Sequence, residues 1–221
     1  MPAAETRERL LDAAEPLFAE QGYAATSMRQ IISRAEVNSA AIHYHFGSKQ
    51  DLFVAVVARR LEPVTAGRLQ RLDALESEAG SNPVAVEALL KALIEPAMAT
   101  SVNAEHGGTW IKLLARFRTE PGGHWTSTNP LQHQMLSRFH AAFARALPHL
   151  PEDELKYRYF FAIGAAVNTT IDQQGLALVG SELPNLYEDP RGIVSRLVRF
   201  AAAGMKAPLD PSSDNGAHPD K

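Results

Sequence analysis

The residues best equipped for chemistry lie between Thr26 and Leu52, in the segment TSMRQIISRAEVNSAAIHYHFGSKQDL. It holds the hydroxyls of Thr26, Ser27 and Ser39, the imidazoles of His43 and His45, and the phenol of Tyr44. Between Thr26 and Lys49 three fixed positive charges, Arg29, Arg34 and Lys49, stand against one negative charge, Glu36. Such a set donates hydrogen bonds and charge; it is not arranged to break bonds. His43 and His45 sit two apart, so on a helix they point roughly 200° from each other and do not share a metal. Two short helices joined by a tight turn at Glu36-Val37 present these groups as a helix-turn-helix does, one helix across a phosphate backbone and the next in a major groove. The second helix carries small residues where close approach is needed, Ser39, Ala40 and Ala41. Donors follow at phosphate level, His43, Tyr44 and His45, and Lys49 opens the next helix, whose backbone amides also face anions.

Other constellations are weaker. His133, Ser137 and His140 share a helical face and read either as a polar surface or as a ligand or metal site. The aromatic residues Trp110, Phe117 and Phe143 read either as ordinary core or as the wall of a pocket for a small molecule. Arg116 and Arg118, between apolar positions before an EPGGHW loop, read as solvated surface or as partners for a carboxylate or phosphate on an apolar ligand. No HExxH, GxSxG, P-loop or dinucleotide glycine pattern occurs, so no catalytic residue, metal site or cofactor is expected.

The elements that must position these groups are all helical. The first is expected from Thr6 to Gln21, with Leu10, Leu11, Ala14, Leu17 and Phe18 on one stripe, a kink at Pro16 and a cap at Gly22. Short helices follow at Ser27–Ala35, capped by Thr26 or Ser27, and at Ser39–His45, capped by Asn38 and ended by Gly47. A capping-box-like Ser48-Lys49-Gln50-Asp51 starts a fourth, with Leu52, Phe53, Val56 and Val57 inward. Beyond Pro63 helical segments are expected at Thr65–Glu78, Pro83–Asn103, Thr109–Arg118, from Pro130, at Pro151–Val179 as the longest, and at Pro190–Lys206. The closing stretch 207–221 is rich in Pro, Ser and Asp and is expected to be disordered.

The whole chain has 221 residues, no cysteine and a net charge of −3. That excludes a histone-like binder, disulfides and thiol chemistry, but not a local positive face on an acidic molecule. The longest apolar run, Phe160–Val167, is eight residues, far short of the ~20 that a membrane span needs. The charged start MPAAETRERL lacks the apolar core of a secretory signal, so a cytoplasmic protein is expected.

The compound pattern over residues 6–53, LLDAA…LFAE…GY, then T-S-x-x-x-I, then A-x-V-x-x-A-A-I-x-Y-H-F-x-S-K-x-D-L, resembles the DNA-binding domain of TetR/AcrR bacterial transcriptional regulators. Pro16 departs from that pattern, and Ala40 stands where glycine is common. The resemblance implies an all-α fold with a helix-turn-helix head (1–53), an effector-binding and dimerising body (54–206) and a tail (207–221). It implies phosphate contacts from Thr26, Ser27 and Arg29, base contacts from Ser39, Ala40 and His43, and anchoring by Tyr44, His45 and Lys49. It further implies a homodimer through helices near 151–179 and 190–206, double-stranded DNA with a pseudo-palindromic operator, and repression released by a small, apolar or amphipathic effector near Trp110, Arg116, Phe117 and Phe143. The competing reading is a helical small-molecule-binding protein or enzyme that does not bind DNA.

Overall fold

Apolar residues at three- and four-residue steps bury one face of the first helix, α1 (Ala3–Ala25), and leave Leu10, Leu11, Ala14 and Phe18 without solvent contact. The computed structural model describes residues 3–102, 107–119, 130–172, 175, 178, 180, 183–185 and 187–209. The backbone of α1 breaks at Gly22 (φ 82°, ψ 172°), a conformation essentially reserved for glycine. It stays helical at Pro16, where a kink was expected. Leu17 and Phe18 are buried immediately beyond the proline, and Glu15 just before it is buried too, so packing holds the turn that Pro16 weakens.

Two short helices follow, α2 (Met28–Ala35) and α3 (Ser39–Phe46), then the 31-residue α4 (Lys49–Ala79). The expected break at Pro63 does not occur; α4 runs through it, and through the expected domain boundary after residue 53. Pro63 is exposed, while Val56 and Val57 are buried below it and Val64, Leu69 and Leu72 above it. Burial of five large apolar side chains at about 1.5–3 kcal/mol each outweighs the ~3 kcal/mol of an interior proline.

Farther along the chain come α5 (Val86–Ser101), α6 (Gly107–Thr119), α7 (Pro130–Ala146), α8 (Glu152–Ile171) and α9 (Pro190–Lys206). Among the described residues no strand occurs, in keeping with the expected all-α class. The longest described helix is α4, not the one expected over 151–179: α8 is closed at Asp172, whose N–H bonds the Asn168 carbonyl. Residues 173–174, 176–177 and 179 of that expectation lie outside the described residues, as does most of the expected tail, 210–221.

Two cores result. One joins α1, α2, α3 and the first half of α4, and α6 belongs to it: Trp110, Leu113, Leu114 and Phe117 close over the head, with the Phe117 and Phe53 rings 5.6 Å apart. The other joins the second half of α4 with α5, α7, α8 and α9. Thus α4 is common to both. Among the described residues no helix is long and apolar enough to cross a membrane.

Candidate nucleic-acid interface

The head is fixed by helix ends whose caps are local. At α2, Ser27 and Gln30 form a complete capping box: Gln30 N–H donates to Ser27 Oγ (3.2 Å), and Ser27 N–H donates to Gln30 Oε1 (2.7 Å). At α3, Asn38 Oδ1 accepts from the Ala40 N–H at 3.0 Å. At α4, Ser48 Oγ accepts from the Asp51 N–H at 3.1 Å and donates to Asp51 Oδ2 at 2.5 Å. Each cap satisfies a backbone donor that has no partner inside its helix. The α2–α3 turn needs a left-handed residue, and Glu36 (φ 52°) takes that conformation while its carboxylate meets Arg9 at 3.4 Å.

Ile42 and Phe46 anchor α3 in the core, and the Arg7 guanidinium sits 5.4 Å over the Phe46 ring. Their burial turns the opposite face outward. Ser39, Ala40, His43 and Tyr44 are exposed along it, Tyr44 to 81%. A large aromatic left that open on an eight-residue helix contributes nothing to the fold. The His45 ring meets Tyr44 edge-on at 5.1 Å. His43 Nδ1 lies 3.3 Å from the Gly47 carbonyl, which orients the imidazole at the end of the helix.

Of the residues expected to flank this face, Ser27 and Arg29 are exposed, and Arg29 makes no ion pair among the described residues. Lys49 is half-buried, its ammonium 4.3 Å above the Tyr23 ring and 3.4 Å from the Ala24 carbonyl. It is poised at the start of α4, with its stem packed.

Thr26 differs from the expectation. It is 1% exposed, and its hydroxyl lies 2.7 Å from the Gly22 carbonyl and 3.1 Å from that of Leu17. Its side chain braces the corner after α1 and does not stand on the outer face. The corner needs an acceptor-satisfying hydroxyl because Gly22 has left helical geometry.

The body candidates do not gather in one place. Trp110 and Phe117 are buried in the head-side core, Phe143 in the other core beside Tyr159, and Arg116 is exposed on α6. On α7, His133 and Ser137 are exposed as a polar face requires, but His140 turns inward. Gln30, as the second half of the α2 capping box, was not singled out from sequence, although Ser-x-x-Gln is a recognisable start signal. Tyr23, the platform under Lys49, carries no such local signal.

A helix-turn-helix head on a helical body defines a class of bacterial regulators. Residues 10–56 match the family "Bacterial regulatory proteins, tetR family", and residues 91–204, just over half of the chain, match "Tetracyclin repressor-like, C-terminal domain". The chain belongs to the TetR family of bacterial regulatory proteins, which are not enzymes.

The transcriptional activator FasR of Mycolicibacterium smegmatis is 38% identical over 72 residues, 33% of this chain and 33% of that protein. The transcriptional repressor BepR of Brucella suis biovar 1 is 41% identical over 62 residues, 28% of this chain and 29% of that one. The chain therefore matches only about a third of the length of these relatives. The crystal structure of the regulator FadR from Bacillus subtilis in complex with stearoyl-CoA superposes with a TM-score of 0.59, covering 89% of this chain and 98% of that one at 14% identity. At that identity the likeness concerns the fold.

Proposed function

We propose that this protein is a homodimeric transcriptional repressor that leaves a pseudo-palindromic operator when a small molecule binds its body. The observation that carries the reading is the outer face of α3, where Ser39, Ala40, His43 and Tyr44 are exposed on a helix capped at both ends. Ser39, Ala40 and His43 read base edges in the major groove. Ala40 offers only apolar contact, for instance to a thymine methyl. Ser27 and Arg29 hold phosphate from the start of α2, and Tyr44, His45 and Lys49 from the far side. Residues 1–53 are the reading head, 54–206 sense and dimerise, and 207–221 form the tail.

Dimerisation is supported by an apolar face on the last two helices. Phe160 and Phe161 on α8 and Phe200 on α9 are 65%, 63% and 72% exposed. Three open phenylalanines on adjacent helices favour burial against a second copy. A twofold dimer sets its two heads about 34–36 Å apart or a multiple of that, and this spacing makes the operator a pseudo-palindrome. Such a protein works where the DNA is, in the cytoplasm.

The effector is apolar or amphipathic, a reading supported by the stearoyl-CoA bound in the B. subtilis relative. To empty the operator it binds the DNA-incompetent conformation more tightly than the competent one. The test is selection of bound fragments from genomic DNA followed by footprinting. Two protected major-groove segments with twofold symmetry support the reading. A folded protein that retains no fragment over competitor DNA at low salt refutes it and revives a non-DNA-binding helical protein. The relative named an activator supports a second reading of direction, separated from the first by where the operator lies relative to the promoter.

A further inference from the structure

Where α4, α5, α7 and α8 converge, the interior holds hydrogen-bond donors without acceptors. Tyr159 of α8 is 7% exposed, packs its ring 5.5 Å from Phe143, and its hydroxyl has no hydrogen-bond partner among the described residues. His140 of α7 lies beside it, rings 6.2 Å apart, with Nε2 buried and unbonded; the nearest carboxylate oxygen, Glu152 Oε1, is 3.8 Å away. Arg68 of α4 uses only Nε, which donates to the Leu93 carbonyl at 2.7 Å, and pairs with no carboxylate among the described residues. Four of its five guanidinium N–H donors are uncommitted.

Arg68 is only partly covered by protein, yet desolvation draws its pKa down to about 10. The same burial pushes the Tyr159 phenol up, opposed by the Arg68 charge, so the two groups feel each other. A desolvated cation without a partner is costly to keep. Leu93, Phe139, Phe143 and Tyr159 belong to one apolar core.

We infer that this interior site takes an amphipathic anion, its carboxylate or phosphate accepting hydrogen bonds from the Arg68 guanidinium and the Tyr159 hydroxyl while its apolar part lies against the core. The acceptor-rich head supplies what three donor groups lack, and a planar guanidinium meets a carboxylate or phosphate with two parallel bonds. The inference rests on the reading of the body as the sensor and names the chemistry it senses.

The test uses the full chain and six probes below their micellar concentrations: octanoate and dodecanoate, octyl and dodecyl phosphate, and the neutral octanol and dodecanol. Calorimetric titration should show at least one anion series binding about tenfold or more tighter than the alcohol of the same length; which series wins tells carboxylate from phosphate. Arg68→Met should abolish that preference and, without any probe, raise the melting temperature by about 2–4 °C, since an unpaired buried cation is gone. Tyr159→Phe should weaken anion binding severalfold and leave alcohol binding unchanged. The inference is overturned if anions bind no better than alcohols. It is equally overturned if folded Arg68→Met keeps the preference or melts lower, as it would were Arg68 only a strut to Leu93. Anions that bind through Arg68 but leave DNA affinity unaltered uphold the anion site and contradict the sensor reading alone.

Discussion

Glu15 of α1 and Arg59 of α4 meet with Oε2 and Nη2 2.6 Å apart, and the same carboxylate is taken on its other oxygen by Arg60 at 2.7 Å. Glu15 is 3% exposed, so a nearly buried charge is balanced by two arginines. Arg59 also reaches Asp12 at 2.7 Å and Glu8 at 3.4 Å. The acidic stripe of α1 is thereby fastened to the helix shared by both cores. Movement of α4 under the body cannot leave α1, and hence the head, unaffected.

Glu15→Gln removes the charge that both arginines share. Because Arg59 and Arg60 keep about a quarter of their side-chain surface exposed, water takes part of the load, and the loss is below that of a fully buried pair. Destabilisation by about 2 kcal/mol is expected, read from urea unfolding midpoints at unchanged m-value. A shift within the error of the measurement would show that the clasp contributes no stability.

The corner between α1 and α2 depends on Gly22 and Thr26 together. Gly22→Ala places a Cβ at φ 82°, ψ 172°, and should cost upward of about 1 kcal/mol. Thr26→Val keeps the shape but leaves the Gly22 and Leu17 carbonyls without their shared donor, at about 1–2 kcal/mol. With protein kept fully folded, Thr26→Val should bind DNA with an unaltered salt dependence. A reduced slope would return Thr26 to the phosphate contacts.

The start of α9 is pH-sensitive in a defined direction. The Asp189 carboxylate accepts from the Gly192 N–H at 2.8 Å and pairs with Arg196 at 3.1 Å, which hold its pKa below the ordinary aspartate value. A depressed carboxylate adds stability above the unfolded pKa near 3.9, and that stability is lost as pH falls through the folded value. Asp189→Asn, which can still cap but carries no charge, should therefore flatten the acid limb of the stability–pH curve below about pH 4 and lower stability modestly at pH 7, where the carboxylate's contribution is fully present. An unchanged acid limb would contradict the assignment.

Much of the head was legible because its signals are local. Ser48-x-x-Asp51 and Asn38 declare helix starts within four residues, and the apolar steps of α1 name the stripe that is buried. What was not legible depends on partners distant in sequence. Pro63 reads as a break until Val57 and Val64 are seen buried on either side of it. Trp110 and Phe117 look like pocket partners of Phe143 until α6 is seen lying on α1, and Thr26 looks like a surface hydroxyl until Gly22 turns its carbonyl toward it. Arg68 carries no motif at all; only convergence of four helices gives it meaning.

The proposed dimer is built on the apolar face of α8 and α9. Phe160→Glu with Phe200→Glu puts charges at the centre of the proposed interface while touching no buried core position. The double variant should stay helical and sediment as a monomer, with operator affinity lowered at least about a hundredfold because each head then binds alone. A dimer of unchanged stability would place the contact elsewhere.

The proposed function stands on docking of α3 and its flanks on DNA. It is tested most directly by operator affinity across a salt series for the wild type, Lys49→Ala and Tyr44→Ala, all verified as folded dimers. Both variants should bind every sequence more weakly, with the salt slope reduced by about one for Lys49→Ala and unchanged for the neutral Tyr44→Ala. Wild-type affinity and slope in both variants would contradict it.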